Sequence, residues 1–272
     1  MNPATALLDL LQVANVHVLR LLLGAGTGPA REYCSQAVQR FDVLAERGLR
    51  PVSPLEFMYE AGWAARPVEE RVELPIGIHT GGGTRLEELA ILAMVTRLLR
   101  PRKIFEIGTY MGRTTSVLRL NAEPQAQVVT LDLPESDDEL APAGSLASDV
   151  QLIRRRRVGA LLQQLGIAER CNQIRCDSLL FDPSPHRGTV ELGFIDGAHS
   201  RRHVENDTAK MAVMMADRGL VLWHDYGGKG RFRDLTSFLD RLSLKIGLYR
   251  ILHTSLAWTT AEELRKAGDW RG

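Results

Sequence analysis

The stretch KIFEIGTYMGRTT, residues 103–115, decides the fold class of this chain. It begins as a short apolar run and passes through Gly108 and Gly112 into a segment with helical spacing. A strand, a glycine turn and a helix in this order are typical of open α/β sheets, where the amides of the helix start point at a ligand. The spacing E-x-G-x-x-x-G differs from the G-x-G-x-x-G of dinucleotide sites and therefore disfavours a nicotinamide cofactor.

Further apolar runs follow this stretch, and helical patterns separate them. Such alternation predicts an α/β, Rossmann-like fold, with a doubly wound, mostly parallel sheet and helices on both faces. Thr84 and Glu87 form a capping-box pattern before the first of these helices. The predicted strands are 103–107, 128–131, 172–175, 190–195 and 219–223, with a terminal hairpin at 248–252 and 255–259, and the predicted helices are 84–100, 112–120, 149–165, 200–216 and 231–246.

The N-terminal part differs from this pattern. Residues 1–80 are predicted to form a helical accessory region before a main domain at 81–272, with helices at 4–23 and 30–48. The first helix has a broad apolar face, which we expect to pack on the main domain or on a second copy in a homo-oligomer. Polar residues interrupt it too often for a membrane span or a signal peptide.

The composition excludes several classes of protein. The 272 residues are 44% hydrophobic and 25% charged, close to the average of globular proteins, which predicts a folded chain. The net charge of +1 gives no overall attraction to nucleic acid or to an anionic membrane. Cys34, Cys171 and Cys176 form no CxxC pair, which disfavours a disulfide framework or a zinc knuckle and fits a cytoplasmic location.

Polar side chains follow the second and third strands, at the edge where such sheets bind ligands. Asp132 ends the second strand 20 residues after Gly112, where an acidic residue can bind ribose hydroxyls. Asp177 and Ser178 follow the third strand. They suit the amino group and ring nitrogen of an adenine, and an Asx-type turn explains them equally well.

The fourth and fifth strands end in the motifs FIDGAH and LWHDY. If these strands are neighbours, Asp196, His224 and Asp225 converge, and two carboxylates with an imidazole suit a divalent cation such as Mg²⁺ or Mn²⁺. His199, three residues after Asp196, is placed for a general base. The alternative interpretation is that Asp196 and Asp225 cap turns and bond the substrates directly.

At these motifs the chain resembles the class I S-adenosylmethionine-dependent methyltransferases, over about residues 84–260. Order and spacing are most similar to the small-molecule O-methyltransferases, both of the catechol type and of the bacterial macrocin and mycinamicin sugar type. The resemblance implies that S-adenosylmethionine is the methyl donor. The residues that it assigns to donor binding are Glu106, Gly108, Tyr110, Gly112, Thr114, Asp132, Asp177 and Ser178.

The resemblance also implies a catalytic group. Asp196 matches the first metal ligand of the metal-dependent members, whose other ligands stand 28 and 29 residues later, here at His224 and Asp225. His199 matches the base, which is lysine in the catechol type and histidine in the sugar type. The catechol type carries Asp-Asn where this chain has His224-Asp225, and an imidazole is a softer ligand than Mg²⁺ prefers.

The implied activity is transfer of a methyl group to a hydroxyl of a small molecule, a sugar or natural product, with Asp196, the cation and His199 in catalytic roles. Other interpretations stay open: a nucleic-acid or N-methyltransferase of the same fold, a nicotinamide dehydrogenase, and a non-catalytic S-adenosylmethionine-binding protein. Balanced charge disfavours a nucleic-acid partner. The sequence does not name the acceptor, because acceptor pockets are built from variable loops.

Two segments are predicted to lie over the site. Residues 133–160, with the run Arg154–Arg157, have the length of a mobile cover, and a solvated helix face explains the arginines as well. The tract 79–83 is rich in glycine and is interpreted as a gate over the donor site or as a plain linker.

Overall fold

The computed structural model describes residues 48–62, 71–75, 83–134, 157–228 and 232–266. The chain divides into two units, Met1–Pro51 and Val52–Gly272. Within the described ranges, no helix is both long and apolar enough to cross a membrane. Outside these ranges lie the predicted helices 4–23 and 30–48 (except residue 48), most of the tract 79–83 and residues 135–156 of the predicted cover.

A mostly parallel sheet organises the second unit. Among the described residues its strand order is β1-β7-β8-β6-β5-β2-β3-β4. Strands β2 to β6 pair in parallel, whereas β8 pairs antiparallel with β6 and with β7. The strands are Arg50–Val52 (β1), Lys103–Ile107 (β2), Gln127–Asp132 (β3), Asn172–Arg175 (β4), Val190–Ile195 (β5), Met215–Trp223 (β6), Tyr249–Ile251 (β7) and Ala257–Thr260 (β8).

Helices connect the parallel strands on both faces of the sheet. The step from β2 to its neighbour β3 runs one way along the sheet, and the step from β5 to β6 runs the opposite way. Right-handed crossovers in opposite directions place their helices on opposite faces. The helices are Pro54–Glu60 (α1), Leu86–Leu99 (α2), Arg113–Asn121 (α3), Ala160–Gln164 (α4), Arg201–Met214 (α5), Arg233–Leu242 (α6) and Ala261–Lys266 (α7).

The core lies where these helices cover the sheet. Strands β2 and β5 are almost wholly buried, as expected for parallel strands that are covered on both faces. Ile104, Phe194 and Leu222 contribute one side chain each from three adjacent strands to the main hydrophobic cluster. Leu92 of α2 and Leu118 of α3 complete that cluster from outside the sheet. The chain order reverses between β2 and β5, so the edge beyond these two strands is the expected ligand site.

The start of α2 differs from the prediction. The helix begins at Leu86 with Arg85 as its N-cap, one residue later than the predicted capping box. Glu88, not Glu87, completes the box, because its carboxylate accepts a hydrogen bond from Arg85 N at 2.8 Å. Thr84 is buried instead, and its Oγ1 lies 2.8 Å from Thr114 Oγ1 at the start of α3.

Other element bounds also shift. No turn residue separates the end of α5 from the start of β6, so the strand begins at Met215, inside the predicted helix 200–216. Of the predicted helix 149–165, the described part is helical only over Ala160–Gln164. Residues 50–60, where the sequence has weak periodicity, contain β1 and α1. Ser53 and Glu56 cap α1 through a reciprocal pair of hydrogen bonds.

Candidate active site

The glycine turn after β2 is built against the turn after β5. Gly108 has a φ of +102°, and a Cβ at this position would lie 2.0 Å from the carbonyl oxygen of Asp196. Gly108 N donates to Leu131 O, and Asp196 N donates to Ile107 O, both at 2.8 Å. Glycine is therefore required here so that the ends of β2 and β5 can approach each other.

The other side of the glycine turn is covered by the start of α4. Gly159 N donates to Tyr110 O at 2.8 Å, and Leu161 N donates to Met111 O at 2.9 Å. Gly112 caps α3 with a φ of +86°, and a Cβ there would lie 2.8 Å from Cγ of Leu162. The close approach of α4, together with the positive φ, explains the second glycine of the motif.

Asp132 lies at the end of β3, as predicted, and its carboxylate holds the glycine turn. Oδ2 accepts a hydrogen bond from Tyr110 N at 2.6 Å, and Oδ1 accepts one from Leu133 N at 2.7 Å. The first bond supports Tyr110 in the left-handed region, at a φ of +47°. The carboxylate that the sequence predicts as the ribose acceptor is therefore bonded to the glycine turn itself.

Two of the predicted donor-binding side chains, those of Glu106 and Thr114, are buried and bonded to other side chains of the protein. The side chain of Glu106 is fully buried, and its Oε2 accepts hydrogen bonds from Thr130 Oγ1 at 2.6 Å and from Thr115 Oγ1. Burial raises the pKa of Glu106 to about 8. Thr114 is also buried, paired with Thr84. In this structure both side chains support the turn from behind.

The loop after β4 is an Asx turn fastened to α5. Asp177 Oδ1 accepts a hydrogen bond from Leu179 N at 2.9 Å, which is the turn interpretation left open by the sequence. The carbonyl oxygen of Ser178 accepts from Asn206 Nδ2 at 2.9 Å and from Lys210 Nζ at 2.5 Å. Helix α5 thereby fixes the position of the predicted adenine-binding loop.

The ends of β5 and β6 bring together the four side chains that were predicted as catalytic groups or metal ligands. These strands are neighbours in the sheet. His224 Nδ1 lies 3.2 Å from Asp196 Oδ1 and 3.3 Å from Asp225 Oδ1. His199 Nε2 lies 3.0 Å from Asp225 Oδ2, and its ring packs against Phe232 with centroids 4.5 Å apart. One cluster therefore contains two carboxylates and two imidazoles.

A fifth residue of this cluster, Glu88 of α2, was not predicted. It is fully buried, and its Oε2 lies 3.0 Å from His224 Nε2. Its Oε1 accepts hydrogen bonds from Ser255 N at 2.7 Å and from Ser255 Oγ at 2.9 Å. Glu88 shares a helix face with Leu92 and Thr96, each also fully buried. The sequence signal that could have identified Glu88 is a carboxylate at a position where the helical spacing predicts a buried apolar residue.

Charge separation within this cluster is strong. Burial alone would lower the pKa of His224, but Asp196, Asp225 and Glu88 raise it well above its ordinary value. Burial opposes ionisation of Asp225 as well, but its contacts with His199 and His224 hold its pKa well below the usual range. The structure thus stabilises the anionic forms of Asp225 and Glu88 next to a cationic His224, whereas burial raises the pKa of Asp196.

The donor atoms suit a divalent cation. In the described part of the chain, Asp196, His199 and Asp225 each offer one ligand atom, and these atoms lie within 4.8 Å of one another. This group shares both carboxylates with the predicted one and contains His199 in the place of His224. His224 also faces both carboxylates, through the Nδ1 distances given above.

Comparison with known proteins agrees with this geometry. Residues 105–226 match the family model described as a methyltransferase domain. Catechol O-methyltransferase of Mycobacterium tuberculosis is 30% identical over 133 residues, which are 48% of this chain and 50% of the relative. The chain therefore matches about half the length of this curated relative.

Solved structures are similar at lower identity. A Podospora anserina methyltransferase with bound SAH is 14% identical, with a TM-score of 0.50 over 86% of this chain and 97% of that chain. The O-methyltransferase TomG of Streptomyces achromogenes is 15% identical, with a TM-score of 0.44 over 77% of this chain and 89% of that chain. The first of these likenesses shows the fold alone. This fold agrees with the match of residues 105–226 to the methyltransferase-domain model and with the order of the parallel strands.

Proposed function

We propose that this protein transfers a methyl group from S-adenosylmethionine to a hydroxyl group of a small molecule, a sugar or natural product. The proposal rests on two groups of residues that lie at the same edge of the sheet. The glycine turn and Asp132 stand beyond β2 and β3, and the cluster of Asp196, His199 and Asp225 stands beyond β5 and β6. Donor and acceptor are thereby assigned adjacent places, which in-line transfer requires.

The donor is assigned to the strand ends of β2, β3 and β4. Asp132 is the ribose acceptor, the amides of the glycine turn face the methionine end, and the loop at Asp177 and Ser178 borders the adenine. The match of residues 105–226 to the methyltransferase-domain model supports this assignment, because that range contains the glycine turn, Asp132 and the loop at Asp177 and Ser178.

A divalent cation is assigned to Asp196 and Asp225. Carboxylate oxygens suit Mg²⁺ or Mn²⁺, and an imidazole nitrogen suits Mn²⁺ better than Mg²⁺. One buried polar atom supports this fit: His224 Nδ1 faces both carboxylates, yet makes no hydrogen bond of normal geometry among the described residues. When bound, the cation would lower the pKa of the acceptor hydroxyl.

His199 is assigned the role of general base. During transfer the bond between sulfur and the methyl carbon breaks, a bond between that carbon and the acceptor oxygen forms, and the hydroxyl proton passes to the imidazole. S-adenosylhomocysteine is the second product. The contact with Asp225 and the ring of Phe232 orient the His199 imidazole, and a carboxylate contact of this kind stabilises the protonated ring.

Replacement of Asp132 tests the donor assignment. Asp132→Asn keeps the shape of the side chain and removes the charge and one acceptor, so S-adenosylmethionine should bind roughly tenfold or more weakly. Isothermal titration of the full-length protein gives the affinity. Asp217→Asn is the control, since the side chain of Asp217 is fully exposed, and it should leave the affinity unchanged. Equal affinities of Asp132→Asn and wild type would refute the donor site.

We also propose a cytoplasmic homo-oligomer whose assembly depends on the apolar segment at residues 4–23. The proposal rests on the apolar pattern of that segment and on the spacing of the cysteines. Analytical ultracentrifugation of the full chain and of a variant lacking residues 1–30 should give different masses or different solubility.

A further inference from the structure

We infer that Glu88 is a positioning residue that fixes the tautomer of His224, so that its Nδ1 serves as the third donor to the cation held by Asp196 and Asp225. The inference rests on the proposed cation site. It goes beyond that proposal by adding a residue from α2 and by deciding which imidazole faces the ion. His199 then retains the role of base.

The two nitrogen atoms of the His224 ring face different partners. Nε2 lies 3.0 Å from Glu88 Oε2, and both groups are buried. An ionised carboxylate only accepts hydrogen bonds, so the Nε2 atom must carry the proton of this pair. A cation that binds between the carboxylates displaces the proton from the other nitrogen, Nδ1, and the neutral ring then offers it the lone pair of that atom.

The Nδ1 atom of His224 faces the two carboxylates of the proposed cation site. It lies 3.2 Å from Asp196 Oδ1 and 3.3 Å from Asp225 Oδ1 and has no hydrogen bond of normal geometry among the described residues. Two donors at right angles on a cation with bonds of about 2.1 Å are about 3.0 Å apart. The distances from Nδ1 to these two carboxylate oxygens therefore suit neighbouring ligands of one ion.

The Glu88 carboxylate is itself fixed by several contacts. Its Oε1 faces Arg85 Nη2 at 2.9 Å, Ser255 N at 2.7 Å and Ser255 Oγ at 2.9 Å. Ser255 Oγ in turn accepts from Asp225 N at 3.3 Å. The carboxylate cannot rotate without breaking these contacts, so its Oε2 stays directed at His224. A histidine ligand oriented by a carboxylate on its far nitrogen is a common arrangement at protein metal sites.

Glu88→Gln tests this inference sharply. The amide oxygen of glutamine is expected in the place of Oε1, because the Arg85 guanidinium and Ser255 supply more donors there than Arg85 N and His224 supply at Oε2. The amide NH₂ then faces His224 Nε2. Two donors cannot share that contact, and the ring proton is therefore expected to move to Nδ1. The variant should bind Mn²⁺ about 10–100-fold more weakly than wild type, the usual effect of losing such a partner.

The measurement is the electron paramagnetic resonance signal of unbound Mn²⁺, titrated into the full-length protein. Glu87→Gln is the matched control, because Glu87 precedes Glu88 on the same helix and is exposed, and it should bind Mn²⁺ like wild type. Nitrogen-15 spectra of the imidazoles should show the His224 proton on Nε2 in wild type with the metal analogue Zn²⁺, and on Nδ1 in Glu88→Gln.

A double-mutant cycle separates positioning from a merely structural role. In a His224→Ala background, Glu88→Gln should cause no further loss of Mn²⁺ affinity, since the pathway through the ring is gone. The same loss in both backgrounds would overturn the inference, as would wild-type Mn²⁺ affinity in Glu88→Gln. A wild-type protein without Mn²⁺ affinity would overturn it too, whereas methyl transfer is judged separately, by donor binding and product formation.

Discussion

At the scale of single residues, Glu106 shows how a motif position is set by burial. Its carboxyl group is enclosed behind the glycine turn, and burial raises its pKa to about 8. Between about pH 4.5 and 8 the folded protein holds a proton that the unfolded chain has released. The free energy of unfolding should therefore fall as the pH rises through this range, by up to about 1.4 kcal/mol per pH unit.

Glu106→Gln removes this proton and tests the effect. The substitution should also lower the free energy of unfolding by an amount that hardly depends on pH. Oε1 has no hydrogen-bond partner among the described residues, so an NH₂ group in its place would be buried without one. The stability advantage of wild type over the variant should therefore be largest near pH 5 and should shrink toward pH 8. Urea unfolding at four pH values with a chelator present measures this difference, and a difference that is independent of pH would contradict the assignment.

Residues were predictable from the sequence where their role is local to a strand end. Asp132, Asp196 and Asp225 follow apolar runs directly, and the topology of a parallel sheet then brings them to one edge. Glu88 was missed because its role depends on a contact with His224, 136 positions away in the sequence. Glu106 was assigned to the donor by the motif, whereas its burial follows from the packing of three strands.

At the scale of elements, strands were predicted better than helix ends. The bounds of β2 and β5 match the prediction, because each is a largely apolar run between turn residues. Those of β4 match as well, although Ile174 is its only apolar residue. The boundary between α5 and β6 was wrong, because Met211, Met214 and Met215 continue one apolar run across it. The short α4 has no periodicity of its own, and its position follows from hydrogen bonds to the glycine turn.

The contact between α4 and the glycine turn gives a prediction at this scale. Leu162 is fully buried and packs over Gly112. Leu162→Ala should lower the free energy of unfolding by about 2–5 kcal/mol, because it leaves a cavity beneath α4. It should also weaken S-adenosylmethionine binding, since the cover of the turn loosens. Leu165→Ala is the control: this leucine is 38% exposed, and its loss should cost about 1 kcal/mol or less.

Urea unfolding and a donor titration on the same two variants check the prediction. If Leu162→Ala lost stability but kept full donor affinity, α4 would be a structural support with no influence on the donor site. If both variants behaved alike, the packing of α4 on the turn would be refuted.

At the scale of the whole molecule, the sheet separates two binding functions by strand. The donor is assigned to β2, β3 and β4, and the cation to β5 and β6, while the backbone of Gly108 touches that of Asp196 where the two halves meet. The donor site and the cation site lie at one edge of the sheet but use different side chains. We therefore expect that the cation can be removed without loss of the donor. A chelator should therefore abolish methyl transfer and change the Kd for S-adenosylmethionine by less than about twofold, and Mn²⁺ should restore the activity.

Three substitutions complete this test, because they separate ligands from base. Asp196→Asn and Asp225→Asn should reproduce the effect of the chelator, since an amide cannot neutralise the ion. His199→Ala should lower the rate about 10²–10⁴-fold while Mn²⁺ still binds, as expected of a general base. Loss of Mn²⁺ binding in His199→Ala would make His199 a ligand, as its place beside Asp196 and Asp225 also permits. Full turnover in excess chelator would instead mean that the two carboxylates cap their turns and contact the substrates directly.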